Sequence, residues 1–218
     1  MGRAAVNAVV FDVGETIMKD DTYWGGWADW LGVPRHTLSA LVGDVTARGL
    51  DNAEALRVVK PGIDIEAERA ARGAEGCGES ISESDLYDDV RPALAALRAA
   101  GKWVGVTGNQ TARAAQLLRK LNLPADAVAT SGEWGPAKPD RAFFVRLCGW
   151  SGFPAQQIAY VGDHPANDIV AGRAAGLRTV HIRRGPWGFR HADDPDLCAA
   201  ADWRIRSLIE LPGILAFD

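Results

Sequence analysis

The stretch "AVVFDVGETI" (residues 8–17) joins an apolar run to an aspartate and then to a glycine–glutamate pair. The run is short and rich in β-branched and aromatic residues, which is typical of a buried strand. Asp12 follows directly, so the strand is predicted to place a carboxylate at the edge of a sheet. An acid at the end of a buried strand needs partners, and several polar residues further along the chain qualify.

Short apolar runs of this kind alternate with helical patterns along most of the chain. Five strands are predicted, at residues 6–11, 102–107, 126–130, 157–162 and 178–182. Single helical patterns, some of them stopped by glycine, separate the later strands. This alternation indicates βαβ units, a parallel sheet and the α/β class, with right-handed crossovers. The tail is predicted as a loop at 184–196, a short strand at 200–205 and a helix at 207–215.

Residues 17–87 interrupt the alternation, because they show helical periodicity and no convincing strand. We predict that they form an inserted all-helical domain. The core domain is then formed by residues 1–16 and 88–218 together.

The inserted segment is rich in tryptophan near its start. Tyr23, Trp27 and Trp30 share one helical face at spacings i, i+4 and i+7, so they are expected to pack in the core of the inserted domain. Trp24 lies off that face and is the better candidate for contact with a substrate.

The composition excludes several classes of protein. Of 218 residues, 47% are apolar and 24% are charged, the balance of a globular protein with a proper core. The net charge is −4 and no basic block occurs, so nucleic acid is not an expected partner. No run approaches the roughly 18 apolar residues of a membrane span. The N-terminus resembles a first strand and not a secretory signal, so we expect a cytoplasmic protein without a membrane partner.

Polar residues follow three of the predicted strands at their carboxyl ends. Asp12 follows the first strand, Thr107 to Asn109 end the second, and Asp163 follows the fourth. Lys138 lies between the third strand and the next helix. Because the carboxyl ends of parallel strands share one edge, these side chains are predicted to converge there. Such a group suits phosphoryl transfer, in which an aspartate attacks phosphorus and a hard cation offsets charge.

Each of these residues also has an ordinary structural explanation. An aspartate after a strand is more often a turn residue than a nucleophile, and Asp163 can cap the helix that follows it. Thr107 can begin a turn, and Lys138 can be solvated, as most lysines are. The prediction of a site depends on the order and spacing of these residues together.

Four motifs, taken in order, resemble the haloacid dehalogenase superfamily. They are "FDVGETI" (11–17), "VTGN" (106–109), "AKPD" (137–140) and "YVGDHPANDIVAG" (160–172). In addition, "LYDDVRPALAALRAAG" (86–101) resembles the segment at which such chains re-enter the core from a cap. The resemblance implies a Rossmann-like three-layer core with an inserted helical cap of the C1 type.

The resemblance also implies a role for each motif residue. Asp12 would be the nucleophile. Mg²⁺ would be held by Asp12, the Gly14 carbonyl, Asp163 and Asp168. Thr107 and Lys138 would bind the transferred group, and Gly108 and Asn109 would bind the substrate. The implied substrate is a small phosphorylated molecule, and the chain could be a monomer or a homodimer.

The sequence departs from the family pattern next to the nucleophile. Phosphatases of the superfamily usually carry an aspartate two residues after it, which protonates the leaving group, but this position is Gly14. Glu15 stands where the family usually has glycine, and adjacent side chains of extended backbone point to opposite sides. Glu15 is one candidate for the acid, and the inserted domain contributes the others: Asp20, Asp21, Tyr23 and His36.

Three functions are compatible with these residues. We favour a Mg²⁺-dependent phosphatase of small metabolites that acts through an aspartyl-phosphate on Asp12. A 2-haloacid dehalogenase would use the same nucleophile without a metal, but the acids at 163 and 168 would then repel Asp12 with no cation between them. A protein that keeps the fold and hydrolyses little is the third, because Gly14 removes the usual acid.

Overall fold

The core of the protein is a six-stranded parallel sheet. The computed structural model describes residues 4–216. The strands are β1 (Ala8–Phe11), β2 (Trp103–Gly108), β3 (Ala127–Thr130), β4 (Ile158–Gly162), β5 (Arg178–Ile182) and β6 (Trp203–Ile205). Their order is β3-β2-β1-β4-β5-β6, and all neighbours are parallel. The predicted α/β class and parallel sheet are confirmed.

Helices connect these strands, and the first five α-helices come between β1 and β2 in the sequence. In chain order they are α1 (Asp21–Leu31), α2 (Arg35–Ala47), α3 (Glu54–Val59), α4 (Ile65–Ala74), α5 (Val90–Ala99), α6 (Ala112–Lys120), α7 (Ser131–Trp134), α8 (Arg141–Ser151), α9 (Ala171–Ala174), α10 (Gly185–Arg190), α11 (Pro195–Ala200) and α12 (Leu211–Ile214). Short 3₁₀-helices span Glu83–Asp85, Ala155–Gln157 and Leu208–Glu210, and Pro165–Val170 form a π-helix. The core is Rossmann-like, as predicted.

Strand β1 occupies the centre of the sheet, and all four of its residues are buried. Phe11 is paired with Val106 of β2 on one side and with Val161 of β4 on the other. The residues that follow, Asp12 among them, therefore emerge at one level. The strand order reverses between β1 and β4, which is where open α/β sheets bind their ligands.

Helix α8 covers one face of the central strands. Asp140 caps its N-terminus, because the Asp140 carboxylate accepts a hydrogen bond of 2.8 Å from the Ala142 amide. Gly152, in the left-handed conformation, caps its C-terminus. Its buried residues share one apolar cluster with residues of β1 and β4: Ala8, Val10, Phe143, Phe144, Leu147, Ile158 and Tyr160. Burial of this apolar cluster packs α8 against β1 and β4, and so stabilises the strands whose carboxyl ends carry the polar residues.

The chain divides into two compact units, one of which is continuous in sequence. The continuous unit spans Asp20–Ile81 and contains α1 to α4, while the residues before and after it form the sheet-bearing unit. Its ends lie inside the predicted boundaries at 17 and 87. The reason is backbone pairing, because the Lys19 amide donates to the Asp85 carbonyl (2.8 Å) and the Tyr87 amide donates to the Ile17 carbonyl (3.1 Å).

The helical unit has its own apolar core. Trp27 is fully buried there, together with Leu38, Val45 and Leu56. Three more aromatic residues of α1 pack against this cluster and are partly buried: Tyr23, Trp24 and Trp30. The stripe predicted from the i, i+4, i+7 spacing is thus a packing surface, and Trp24 also contributes to it.

The prediction of a loop at 184–196 is wrong, because this segment contains α10 and the start of α11. Both helices are short and carry proline in the first turn. Proline has no backbone N–H, but an N–H in the first turn has no acceptor within the helix, so no helical hydrogen bond is lost. The carboxylate of Asp194 caps α11 by accepting hydrogen bonds from the amides of Asp196 and Leu197. None of the helices within residues 4–216 is long and apolar enough to cross a membrane.

Candidate active site

Asp12 lies at the carboxyl end of β1 and is almost completely buried. Its amide donates a hydrogen bond of 2.9 Å to the Val161 carbonyl of β4, which holds the backbone at the edge of the sheet. A Cβ atom on Gly108 would lie only 2.0 Å from Asp12 Oδ1. Glycine at 108 therefore leaves the room that the Asp12 carboxylate occupies beside β2.

Lys138 is the cationic partner of this carboxylate. Its buried ammonium lies 2.7 Å from Asp12 Oδ1 and 2.6 Å from Asp168 Oδ1. The Asn109 side chain grips the Lys138 backbone, since it donates to the Lys138 carbonyl and accepts from the Lys138 amide, both at 2.8 Å. Asn109 thus positions Lys138, and its predicted contact with substrate stays a prediction.

Three acids meet beside Lys138. One carboxylate oxygen from each of Asp12, Asp163 and Asp168 lies within 4.8 Å of the others, and all three residues are buried. Asp168 Oδ2 accepts a hydrogen bond of 2.9 Å from the His164 amide. A Cβ atom on Gly162 would lie 2.2 Å from Asp168 Oδ2, so this glycine is what lets Asp168 fold against β4.

Three carboxylates share this cluster, and the Lys138 ammonium contacts two of them, those of Asp12 and Asp168. Burial raises the pKa of Asp12 to about 6; Lys138 opposes this rise and Asp168 adds to it. Burial alone would lower the pKa of Lys138, but the two carboxylates hold it well above its usual value, so the side chain is an ammonium. Hard carboxylate oxygens in excess of positive charge fit a divalent cation such as Mg²⁺.

Thr107 is the last residue but one of β2 and precedes Gly108, the glycine beside the Asp12 carboxylate. Its side chain is fully buried, and its hydroxyl has no hydrogen-bond partner among residues 4–216. A buried hydroxyl without a partner costs roughly 1–3 kcal/mol. An incoming oxygen acceptor would remove that cost, which is what a residue that binds a transferred group should offer.

Glu15 lies in the left-handed backbone region, with φ 50°, in place of the glycine that such a φ favours. Its carboxylate accepts a hydrogen bond from the Tyr87 hydroxyl. Its side chain lies over Gly185, where an added Cβ would approach Glu15 Cγ to 2.4 Å. Glu15 is thereby held by Tyr87, and its role as a proton donor stays a prediction.

Sequence reasoning missed two supporting residues. His181 on β5 makes a hydrogen bond to the Asp163 backbone carbonyl, and burial lowers its pKa to about 4, so it is neutral near pH 7. Tyr160 on β4 donates a hydrogen bond of 2.9 Å to the Thr107 carbonyl. Both residues lie inside apolar strand runs, where nothing in the sequence separates them from core residues.

The predicted substrate contact Trp24 lies in the helical unit, edge-to-face with Tyr23 at 5.1 Å.

Comparison with known proteins shows which protein family the chain belongs to. Residues 6–176 match the haloacid dehalogenase-like hydrolases, and this range includes every acid and the lysine of the site. The chain belongs to the haloacid dehalogenase-like hydrolase family.

Relatives in the family carry different activities in their names. The chain is 30% identical to haloacid dehalogenase-like hydrolase domain-containing protein 3 of Danio rerio, over 60% of this chain and 53% of the relative. It is 39% identical to a phosphoserine phosphatase of Thermus thermophilus, over 38% of this chain and 31% of the relative. The matches thus span about half or less of these relatives' lengths.

Solved structures extend the likeness of fold over nearly the whole chain. The crystal structure of a dehalogenase with an intermediate complex superposes with a TM-score of 0.70, at 22% identity, over 97% of this chain and 98% of that one. At this identity the likeness concerns the haloacid dehalogenase fold alone. It does not choose between attack on carbon and attack on phosphorus.

Proposed function

We propose that this hydrolase is a Mg²⁺-dependent phosphatase of small phosphorylated metabolites, acting through an aspartyl-phosphate on Asp12. The observation that carries the proposal is the meeting of Asp163 and Asp168 with Asp12, two of which, Asp12 and Asp168, also contact Lys138. An enzyme that attacks carbon without metal would gain nothing from two further buried acids beside its nucleophile.

The first half-reaction uses the residues at the ends of β1 and β2. Asp12 attacks phosphorus, an O–P bond forms, and the bond to the leaving oxygen breaks with its electron pair going to that oxygen. The Thr107 hydroxyl and the Lys138 ammonium hold the oxygens of the transferred group as charge develops on them. When bound, Mg²⁺ supplies neutralisation of the phosphate charge, with Asp12, Asp163, Asp168 and the Gly14 carbonyl as its proposed ligands.

The second half-reaction regenerates the enzyme. Water attacks the phosphorus of the aspartyl-phosphate, which releases inorganic phosphate, a proton and the free Asp12 carboxylate. Because residue 14 is glycine, no side chain at that position can take the proton. Glu15 is the nearest acid in sequence, and its Tyr87 hydrogen bond is the contact that orients it. We propose that Glu15 serves as a partial substitute, which transfers the proton less effectively than an aspartate at position 14 would.

The proposal extends to the setting of the enzyme. A cytoplasmic location suits a phosphorylated small molecule as the ligand. Neither nucleic acid nor a membrane is needed as a partner, and a monomer or a homodimer would serve equally.

A panel of phosphate esters and 2-haloacids tests the proposal. We expect release of phosphate from the esters, loss of release with chelator, recovery with Mg²⁺, and no release of halide. Asp12→Asn should lower turnover by about 10³-fold or more, as removal of a nucleophile does. Asp126→Asn is the matched control, because it changes a carboxylate that accepts a hydrogen bond from the Val104 amide. Release of halide that persists in chelator would instead identify a dehalogenase, and turnover of neither class would identify a weak or non-catalytic member.

A further inference from the structure

Tyr160 is a polar residue in the middle of a fully buried strand. Its side chain is 0% exposed, and its ring belongs to the apolar cluster of α8, β1 and β4. Burial holds the pKa of its phenol well above the usual value, so the hydroxyl stays a neutral donor. A phenylalanine would fill the apolar core at this position equally well. Apolar packing therefore does not explain why the residue carries a hydroxyl.

The hydroxyl reaches across the central strand. Tyr160 is on β4 and pairs with Val10 of β1, yet its hydroxyl donates 2.9 Å to the Thr107 carbonyl on β2, the strand beyond β1. The bond therefore fastens the end of β2 to β4 beneath the point where Asp12 leaves β1. Within the described part of the chain, the Thr107 hydroxyl has no hydrogen-bond partner.

The same side chain also meets Lys138. The ammonium lies 5.2 Å from the centre of the Tyr160 ring, within the range of a cation–π contact. The Lys138 ammonium therefore contacts three side chains: the carboxylates of Asp12 and Asp168 and the aromatic ring of Tyr160. One buried residue thus contacts both residues that are proposed to bind the transferred phosphate, Thr107 through its backbone carbonyl and Lys138 through its ammonium.

We infer that Tyr160 is a positioning residue, which sets the separation of Thr107 and Lys138 through its hydroxyl and its ring. It touches neither substrate nor metal and acts through those two residues. The inference rests on the proposed function only for its kinetic consequence, because the contacts exist whatever the substrate is. Loss of the hydroxyl leaves the Thr107 carbonyl buried without its donor, and the end of β2 loses its link to β4.

Tyr160→Phe is the direct test, since it removes one oxygen and leaves the ring in place. Hydrogen exchange of the amides of residues 106–109 should accelerate by up to about tenfold, the worth of one hydrogen bond, while exchange in β5 stays unchanged. With an aryl phosphate, kcat should fall and the inhibition constant of inorganic phosphate should rise, each by about tenfold. Phe143→Leu perturbs the same apolar cluster and should lower the melting temperature with kcat and the phosphate constant unchanged.

The two readouts separate this inference from the proposed function. If the native protein neither hydrolyses nor binds phosphate, the phosphatase proposal fails, and the exchange rates still decide the role of Tyr160. Unchanged exchange at residues 106–109 in Tyr160→Phe would overturn the inference. So would equal losses of kcat in Tyr160→Phe and Phe143→Leu, because the effect would then be one of general packing.

Discussion

At the scale of single residues, two glycines decide where the acids lie. Gly108 and Gly162 each stand at the end of a strand, and each has a carboxylate in the place where a Cβ would be. At Gly108 that carboxylate belongs to Asp12, and at Gly162 it belongs to Asp168. Because neither glycine has a Cβ, the carboxylates of Asp12 and Asp168 can lie directly against the edge of the sheet. Adding a Cβ at either position tests this.

Gly162→Ala should displace Asp168 and disturb the acid cluster. We expect a loss of roughly 1–3 kcal/mol in the free energy of unfolding, as overpacking costs in a tight core, together with weaker binding of Mg²⁺. Gly149→Ala is the control, because a Cβ there meets no atom within 4 Å, and the change should stabilise α8 by roughly 0.5–1 kcal/mol. Urea unfolding and calorimetric titration with Mg²⁺ measure both. Unchanged Mg²⁺ affinity in Gly162→Ala would contradict the account of this glycine.

Gly14 leads to a second prediction at this scale. Without an acid at 14, the leaving oxygen departs with little proton transfer, so aryl phosphates should react far faster than alkyl phosphates. Gly14→Asp should raise alkyl-ester turnover by roughly 10²-fold, the usual worth of acid–base help, and change aryl-ester turnover little. Steady-state kinetics on a series of leaving groups measures this. Glu15→Gln is the companion variant, and it should abolish alkyl-ester turnover if Glu15 is the acid.

At the scale of elements, one carboxylate ties the start of α5 to the C-terminal segment. Asp89 precedes α5 and accepts hydrogen bonds from Ser207 Oγ (2.6 Å), from the Leu208 amide (2.9 Å) and from Arg184. Arg184 in turn donates to the Thr16 carbonyl (2.7 Å) and lies over the ring of Tyr87. The network therefore connects the segment after β1, the start of α5 and the chain after β6.

Asp89→Asn should destabilise the protein by about 2 kcal/mol, because hydrogen bonds to a charged group are lost. Burial raises the pKa of Asp89, but Ser207 and Arg184 outweigh it and hold the pKa below 3.8. A depressed pKa means that this stability is present above the unfolded value and is lost as pH falls through the folded one. The effect of the variant should therefore be constant above about pH 5 and shrink as the pH falls below 3.8 in urea unfolding. Glu83→Gln changes an exposed pair with Arg91, which solvent screens, and should affect stability much less than Asp89→Asn does.

At the scale of the whole molecule, a helical unit interrupts a chain whose flanking ends are already joined. Residues 17–19 pair with residues 85–87 inside the sheet-bearing unit, through backbone bonds between Ile17 and Tyr87 and between Lys19 and Asp85. The insertion therefore begins and ends at neighbouring points, and loops closed this way tolerate replacement.

Replacing residues 20–81 by a short glycine–serine linker should leave a folded core. The six-stranded sheet and its apolar clusters lie outside the excised segment, so far-UV circular dichroism should keep its α/β signal and thermal unfolding should stay cooperative. A chain without a cooperative transition would show that the sheet-bearing unit depends on the insertion for its stability.

The sequence predicts the sheet and its edge better than it predicts the supports of the site. Strand ends at Asp12, Thr107 and Asp163 follow from period and burial, because a parallel sheet aligns its carboxyl ends. Tyr160 and the grip of Asn109 on Lys138 depend on distances across strands, which no local pattern encodes. Helices α10 and α11 escaped prediction because their signals are single prolines and one capping aspartate in a polar stretch.

The central claim is that Asp12 attacks phosphorus, and the absence of an acid–base side chain at Gly14 offers a direct way to observe it. Breakdown of the aspartyl-phosphate should be slow, so rapid mixing with an aryl phosphate and Mg²⁺ should give a burst of the phenol close to one per active site. Acid quench within the burst, followed by mass spectrometry, should find a phosphoryl group on the peptide that carries Asp12. A full burst with no phosphoryl group on that peptide, or a 2-haloacid that alkylates Asp12 while phosphate esters leave it unmodified, would contradict the account.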